Sequence, residues 1–253
     1  MSNFLENILV LGNGPSFTKI DYSLLPQNYK VMRLNTFYLE DKYYAGKQVD
    51  YYLFYALHID EMYFNLRAIH AKKEYNVDLI NGVYATVMSE QNKHFPTVKM
   101  ATPLIQQDLA IAEFRCFYEY YYEQYVPTGL QAIALAAVLG FKNIFLAGFD
   151  MFADPNTLHP FEEKKMSQET YKHIVDRHPL QIQEDFVTLL QKEFFNQNFY
   201  SVSLESPLNK IVSLAPKNNT VPSHLLPQEK GVDRTRNLLE PPELCKNKNR
   251  NFK

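Results

Sequence analysis

What most narrows the folds open to this chain is a series of short apolar runs. Each is stopped by turn-forming or polar residues and separated from the next by room for a helix. Residues 7–11 (NILVL) stop at Gly12-Asn13-Gly14-Pro15-Ser16, and residues 30–34 (KVMRL) stop at Asn35. Residues 50–55 (DYYLFY) stop at Ala56-Leu57-His58, and residues 144–147 (IFLA) at Gly148-Phe149-Asp150. Apolar runs this short, bounded by turn signals, read as strands buried on both faces. Residues 76–80 and 199–204 add two more strands. Residues 61–73, 106–125, 129–139 and 185–195 carry apolar side chains at helical spacing. Thr128 is placed to N-cap the third of these, and Gly140 to end it where positive φ is cheap. Strands alternating with helices predict an α/β fold: a Rossmann-like parallel sheet with helices on both faces and right-handed crossovers.

Composition removes several function classes. Lys+Arg number 26 against 28 Asp+Glu, a net charge of −2, which argues against a nucleic-acid partner held by phosphate neutralisation. Two cysteines, Cys116 and Cys245, exclude a disulfide scaffold and fit a reducing compartment. The first residues lack a basic n-region, and no apolar run approaches the roughly 20 residues of a membrane span, so a cytoplasmic chain is expected. Residues 1–216 read as one α/β domain with a lid at about 151–182. Residues 217–253, with four prolines and eight basic against four acidic residues, read as a basic tail. Such a tail fits peripheral contact with an anionic membrane face. The stretch 106–125 carries rings on several faces, as expected of a segment that is buried or shared with another subunit.

In an open α/β sheet, ligands sit outside the carboxyl ends of the strands. Those ends present Asn13, Asn35, His58, Thr128 and Asp150. The G-N-G-P-S loop, with Gly12, Gly14 and Ser16, offers backbone N–H groups and a helix N-terminus to a phosphate. It lacks the third glycine of a dinucleotide fingerprint and the Lys-Ser/Thr of a P-loop. The chain has no D-x-D pair, no H-E-x-x-H and no G-x-S-x-G, so neither a metal site nor a serine nucleophile is expected.

G-N-G-P-S followed by I-D-Y-S-x-L-P covers residues 12–26, and R-x-N-x-F-Y-x-E-D-K-Y-Y-x-G-K covers residues 33–47. With Thr128-Gly129, the L-G-F-K-N-I-F-L-A-G-F-D stretch at 139–150, E-S-P-L at 205–208 and L-A-P at 214–216, this pattern resembles bacterial sialyltransferases of glycosyltransferase family 42. The resemblance implies a variant nucleotide-sugar transferase fold that needs no metal or other cofactor, is often tetrameric and associates with the inner membrane face. It implies inverting transfer of sialic acid from CMP-sialic acid to a terminal galactose or sialic acid of a surface glycan, such as a lipooligosaccharide.

Carried over residue by residue, the resemblance puts Asn13 and Asn35 on the donor, with Thr128 and Gly129 beside them. It makes His178, 14 residues before Lys192, the general base; an imidazole titrates close to the working pH. The donor set also includes Gly12, Gly14, Ser16, Thr36, Asp150 and Phe152. Several positions depart from the pattern. The first phosphate-binding tyrosine falls on Phe152, the second on Leu158 or His159, an expected arginine on Tyr125, an asparagine on Ala56 and a glutamine on Thr36. Each lost donor to a developing charge costs about 3 kcal/mol, two decades of rate. His159 is the favoured substitute, with Tyr171, His173 and Arg177 in the same lid region and Tyr125 on the acceptor side. Two alternatives stand beside the sialyltransferase reading: a transferase using another CMP-sugar such as CMP-Kdo, and a non-catalytic nucleotide-binding paralogue.

Overall fold

The structure is a computed structural model describing residues 5–55, 69, 73–83, 98–153, 167–218 and 226–230. The main sheet contains β1 (Leu5–Leu11), β2 (Lys30–Leu34), β4 (Gln48–Tyr55), β5 (Asn76–Val83), β6 (Val98–Met100), β7 (Phe141–Ala147) and β8 (Asn198–Ser201). Their order is β6-β5-β4-β2-β1-β7-β8, and every neighbouring pair is parallel. The chain begins in the middle, winds outward to β6, and returns to β7 on the other side of β1. That reversal puts a topological switch point, where open α/β sheets hold ligands, at the carboxyl end of β1. The fold class is the one expected from the alternation.

Described helices are α1 (Thr102–Ile105), α2 (Leu109–Tyr121), α3 (Thr128–Val138), α4 (Gln168–Arg177) and α5 (Leu180–Glu193). Helix α3 is buried from Leu130 through Ala137 and is packed into the same core as Ile8, Met32, Leu53 and Leu146 of the sheet. Gly140 follows it at φ +83°, as expected. The capping expectation is corrected: Pro127, extended at φ −58°, is the N-cap, and Thr128 is the first helical residue. Helix α4 falls inside the segment expected to be a lid loop. It buries no residue fully: its short apolar stripe, Tyr171, Ile174 and Val175, is only half-buried. Helix α5 starts at Leu180, behind Pro179, earlier than the apolar spacing suggests. The last strand of the main sheet stops at Ser201 rather than 204. The short β6 and the two-residue pair β3 (Lys42–Tyr43) and β9 (Gln228–Glu229) were not legible as periodic runs. Most of the helix expected at 61–73 lies outside the described residues.

Arg33 and Glu40, both in the long R-x-N-x-F-Y-x-E block, form a two-pronged ion pair of 3.1 and 2.8 Å. Their side chains are 1% and 0% exposed. Tyr75 donates its hydroxyl to Glu40 at 2.8 Å, and the Arg33 guanidinium lies 5.0 Å from the Phe37 ring centre. Lys230 is buried too, and its ammonium donates to the carbonyls of Tyr38 and Glu40. Residues 226–230, assigned to the tail by composition, are therefore packed against the domain through β9 and Lys230. The sequence could not show this, because the partners are about 190 residues away.

Removing one partner of a buried ion pair strands the other charge, at a cost of about 3–5 kcal/mol. Glu40→Gln is expected to lower unfolding stability by roughly that amount in urea titrations. Lys42→Ala, which removes an exposed pair with Glu229, should leave the midpoint unchanged. Equal effects would show that the Arg33–Glu40 pair is not what fixes this turn.

Candidate functional site

The loops after β1 and β7 interlock at the switch point. A Cβ on Gly12 would sit 2.3 Å from the Gly148 carbonyl oxygen, and one on Gly148 would sit 2.4 Å from that of Gly12. Glycine is required at both, and Gly148 also holds φ +74°. Gly12 N–H donates to Ala147 O at 2.8 Å, and Gly14 N–H to Gly148 O at 3.0 Å. Ser16 donates twice to Asp150 Oδ2, from N–H at 3.0 Å and from Oγ at 2.8 Å. Here the sequence expectation is corrected. The amides of Gly12, Gly14 and Ser16, read as a phosphate cradle, are engaged by the β7 loop. The Asp150 carboxylate occupies the anion position at the start of the short 3-10 helix Pro15–Lys19. Burial pushes the Asp150 carboxyl above its usual range, against the opposing pull of its Ser16 bonds.

Asn13 and Asn35 stitch neighbouring strand ends together. Asn13 Nδ2 donates to Leu34 O at 3.0 Å, and Asn35 Oδ1 accepts from Tyr55 N–H at 3.2 Å. The Tyr52 hydroxyl donates to Asn35 O at 2.8 Å. Asn35 sits at φ +42°, a region that asparagine tolerates better than most side chains. Thr36 follows, half-buried, as N-cap of the 3-10 helix Phe37–Leu39, with no capping bond from its side chain. Thr128 and Gly129 are half-buried at the start of α3, and a Cβ on Gly129 would meet Phe149 Cε1 at 3.2 Å. The carboxyl ends of β1, β2, β4 and β7 and the N-terminus of α3 thus lie together at one end of the sheet.

His178 is the C-cap of α4. Its Nδ1 lies 2.6 Å from the Tyr125 carbonyl oxygen. A carbonyl only accepts, so Nδ1 carries the proton and Nε2 keeps its lone pair. The connection is doubled, because Tyr125 N–H donates to Arg177 O at 2.7 Å. Burial holds the His178 pKa below its usual value; the Tyr125 carbonyl pulls the other way, and Arg177 and His173 add to the lowering. The ring is therefore neutral near neutral pH and fixed in one tautomer, as a proton acceptor must be. Arg177 and His173 are exposed, and the Arg177 guanidinium lies 5.5 Å from the Tyr125 ring centre.

Phe152 stacks on His178, with ring centres 5.7 Å apart and planes 29° from parallel. Met151 and Phe152 are both at positive φ, +51° and +56°. The Tyr171 hydroxyl, in the expected lid region, donates to Phe152 O at 2.8 Å. His159 and Ala56 lie outside the described residues. Sequence reasoning missed two partners of His178. The Tyr125 carbonyl is backbone and leaves no side-chain signal. Gln183, 3% exposed among the apolar Ile182, Phe186 and Val187 of α5, was a visible signal as a polar residue on a buried face.

Among the described residues, no cluster of His, Cys, Asp and Glu is arranged to hold a metal ion, and no helix is long and apolar enough to cross a membrane. A cleft of about 680 Å³ lies at the opposite, amino end of β1, β2 and β4, where Lys30 and Asp50 bond to each other at 2.7 Å.

The family model described as "Alpha-2,3-sialyltransferase (CST-I)" matches residues 6–252. Sialyltransferase CstII from Campylobacter jejuni, in complex with the substrate analogue CMP-3FNeuAc, is similar at 28% identity and TM-score 0.76, covering 89% of this chain and 91% of that one. CST-II in complex with a trisaccharide acceptor and CMP is 27% identical with TM-score 0.75, over 89% and 91%. The fold is also that of the monofunctional alpha-2,3-sialyltransferase Cst-I from Campylobacter jejuni, TM-score 0.81 at 24% identity, over 97% and 92%. An uncharacterized protein of Haemophilus influenzae is 28% identical over 132 residues, 49% of this chain and 55% of that protein. The chain thus spans about half the length of that curated relative.

A histidine whose folded pKa is depressed contributes stability above its unfolded value of about 6.5, and that stability is lost as pH falls through the lower folded value. Urea unfolding at a series of pH values should therefore show wild type losing stability below about pH 6.5, with a shallower slope in His178→Gln. Parallel slopes would mean that the ring is not held neutral by burial.

Proposed function

The chain belongs to the CST-I alpha-2,3-sialyltransferase family, a family of glycosyltransferases, and on that premise we propose that it transfers sialic acid from CMP-sialic acid to a terminal galactose or sialic acid of a cell-surface glycan. Transfer inverts the anomeric centre and needs no metal ion. The observation that carries this reading is the His178 imidazole, protonated at Nδ1 by its bond to Tyr125 O and open to accept at Nε2. His178 takes the proton of the acceptor hydroxyl. The freed oxygen attacks the anomeric carbon while the bond to the phosphate oxygen breaks, and CMP leaves as the anion. The crevice around Asn13, Asn35, Thr36, Thr128 and Gly129 holds the donor. Ser16 and Asp150 support it from behind, because their polar atoms bond each other. Phe152 donates no hydrogen bond to the departing phosphate, so that role falls to Arg177 and His159.

The experiment is calorimetric binding of CMP, CMP-sialic acid and CMP-Kdo, followed by transfer to lactose. The expected outcome is turnover with CMP-sialic acid, abolished in His178→Ala with CMP affinity nearly unchanged. Turnover with CMP-Kdo alone would replace the donor, binding without turnover would make the chain a non-catalytic paralogue, and a fully active His178→Ala would remove the base.

The reading extends to partners. Helix α2 exposes Leu109, Phe117, Tyr120 and Tyr121, a face suited to a second copy of the chain in a homo-oligomer such as a tetramer. The last ten residues, LCKNKNRNFK, carry four basic and no acidic groups, suited to peripheral contact with anionic lipid at the inner membrane face. Light scattering should read a mass above one chain, and deletion of 244–253 should abolish co-sedimentation with anionic vesicles without changing that mass. A monomer, or undiminished vesicle binding, would remove the corresponding partner.

A further inference from the structure

The turn at Met151–Phe152 places two consecutive non-glycine residues in the left-handed region, at φ +51° and +56°. Backbone of this kind persists only where its surroundings over-determine it. Two side chains from outside the turn do so here. The Tyr171 hydroxyl, on α4, donates to Phe152 O at 2.8 Å. The buried Gln183 carboxamide, on α5, donates from Nε2 to His178 O at 2.8 Å and reaches Met151 O at 3.5 Å. The turn in turn presses the Phe152 ring on the His178 imidazole.

We propose that Tyr171 and Gln183 are positioning residues that latch the Met151–Phe152 turn over His178 and thereby fix the imidazole of the base. The chain of contact is closed. Tyr171 fixes the Phe152 carbonyl, Phe152 covers one face of the ring, Tyr125 O fixes Nδ1, and Gln183 ties the carbonyl of the base residue to the turn. Phe152, which cannot donate to a phosphate, has a role in this arrangement: it keeps water from one face of the base. The latch rests on the reading of His178 as base only for its kinetic consequence, since its geometric content is independent of turnover.

The test compares Tyr171→Phe, which removes one oxygen and keeps the ring, with wild type and with Gln183→Leu. Among the described residues, the charged or titratable groups near His178 are Arg177 and His173 on its own helix, with the Tyr125 phenol from the segment before α3 and Tyr55 at the end of β4 beside Arg177; the two variants leave these four in place. Titration of the His178 ring followed by NMR, its resonance assigned by its loss in His178→Gln, should move up toward the ordinary histidine value in both variants. In the transfer assay kcat should fall about three- to tenfold, the size of one net hydrogen bond. KM for the donor should hold, and the acidic limb of the pH profile should move to higher pH. Thermal unfolding of each variant checks that it is folded, and Gln183→Leu carries the test if Tyr171→Phe is not. An unchanged His178 titration overturns the proposal, whether or not the protein turns over. So does a loss confined to CMP affinity, which would make Tyr171 a ligand of the donor phosphate. Absence of transfer in wild type, with the titration shift intact, would remove the proposed function and leave the latch standing.

Discussion

The buried pair of Arg33 and Glu40 is the constraint on which the site end of the sheet depends. Two formal charges leave water together, and only a two-pronged geometry with further hydrogen bonds makes that tolerable. Tyr75 and the Phe37 ring supply the surroundings, and Lys230 ties off the carbonyls of Tyr38 and Glu40. The segment between the paired residues then has little freedom. Asn35 is held in the left-handed region at the strand end, and its side chain and carbonyl bond across to β4. A block of residues that looks like a ligand-binding signature is thus, in good part, the scaffold for one crevice-facing turn.

The same economy appears on the other side of β1. Gly12 and Gly148 allow two loops to touch, and the Ser16–Asp150 bonds close them against each other. The polar atoms spent there are unavailable to a nucleotide. What the interlock provides is rigidity at the switch point, so that the groups facing the crevice are held on strand and helix ends. His178 stands apart from this scaffold, on a helix cap held by a backbone carbonyl. Its environment balances two effects: burial disfavours the cation, and the carbonyl favours a proton on Nδ1. Burial is the larger, and it leaves a neutral ring with a single open nitrogen.

Legibility followed length and locality. Strands β1, β2, β4 and β7 were readable because apolar runs ended at Gly12, Asn35, Ala56 and Gly148, and α3 because its apolar spacing ended at Gly140. Helix α4 was not, since its stripe of Tyr171, Ile174 and Val175 is short and only half-buried. Nor were β3 and β9, two residues each and paired across most of the chain. In the site, residue types at strand ends pointed to one end of the sheet but not to what each atom does. Ser16 reads as part of a phosphate cradle, whereas its N–H and Oγ are taken by Asp150, and the Tyr171 hydroxyl of the lid region bonds Phe152 O.

By itself the sequence determined the alternation of the longer strands and helices and the parallel sheet it implies, because periodicity and turn residues are local properties of the chain. It also carried the family resemblance, in blocks such as residues 33–47. Only the tertiary structure decided which donors meet which acceptors: Ser16 with Asp150, Lys230 with the turn at 38–40, and the His178 ring with Tyr125 O and Phe152. Those pairings join residues 26 to 192 positions apart, and a hydrogen bond is fixed by distance and direction in space, neither of which is written in the spacing along the chain.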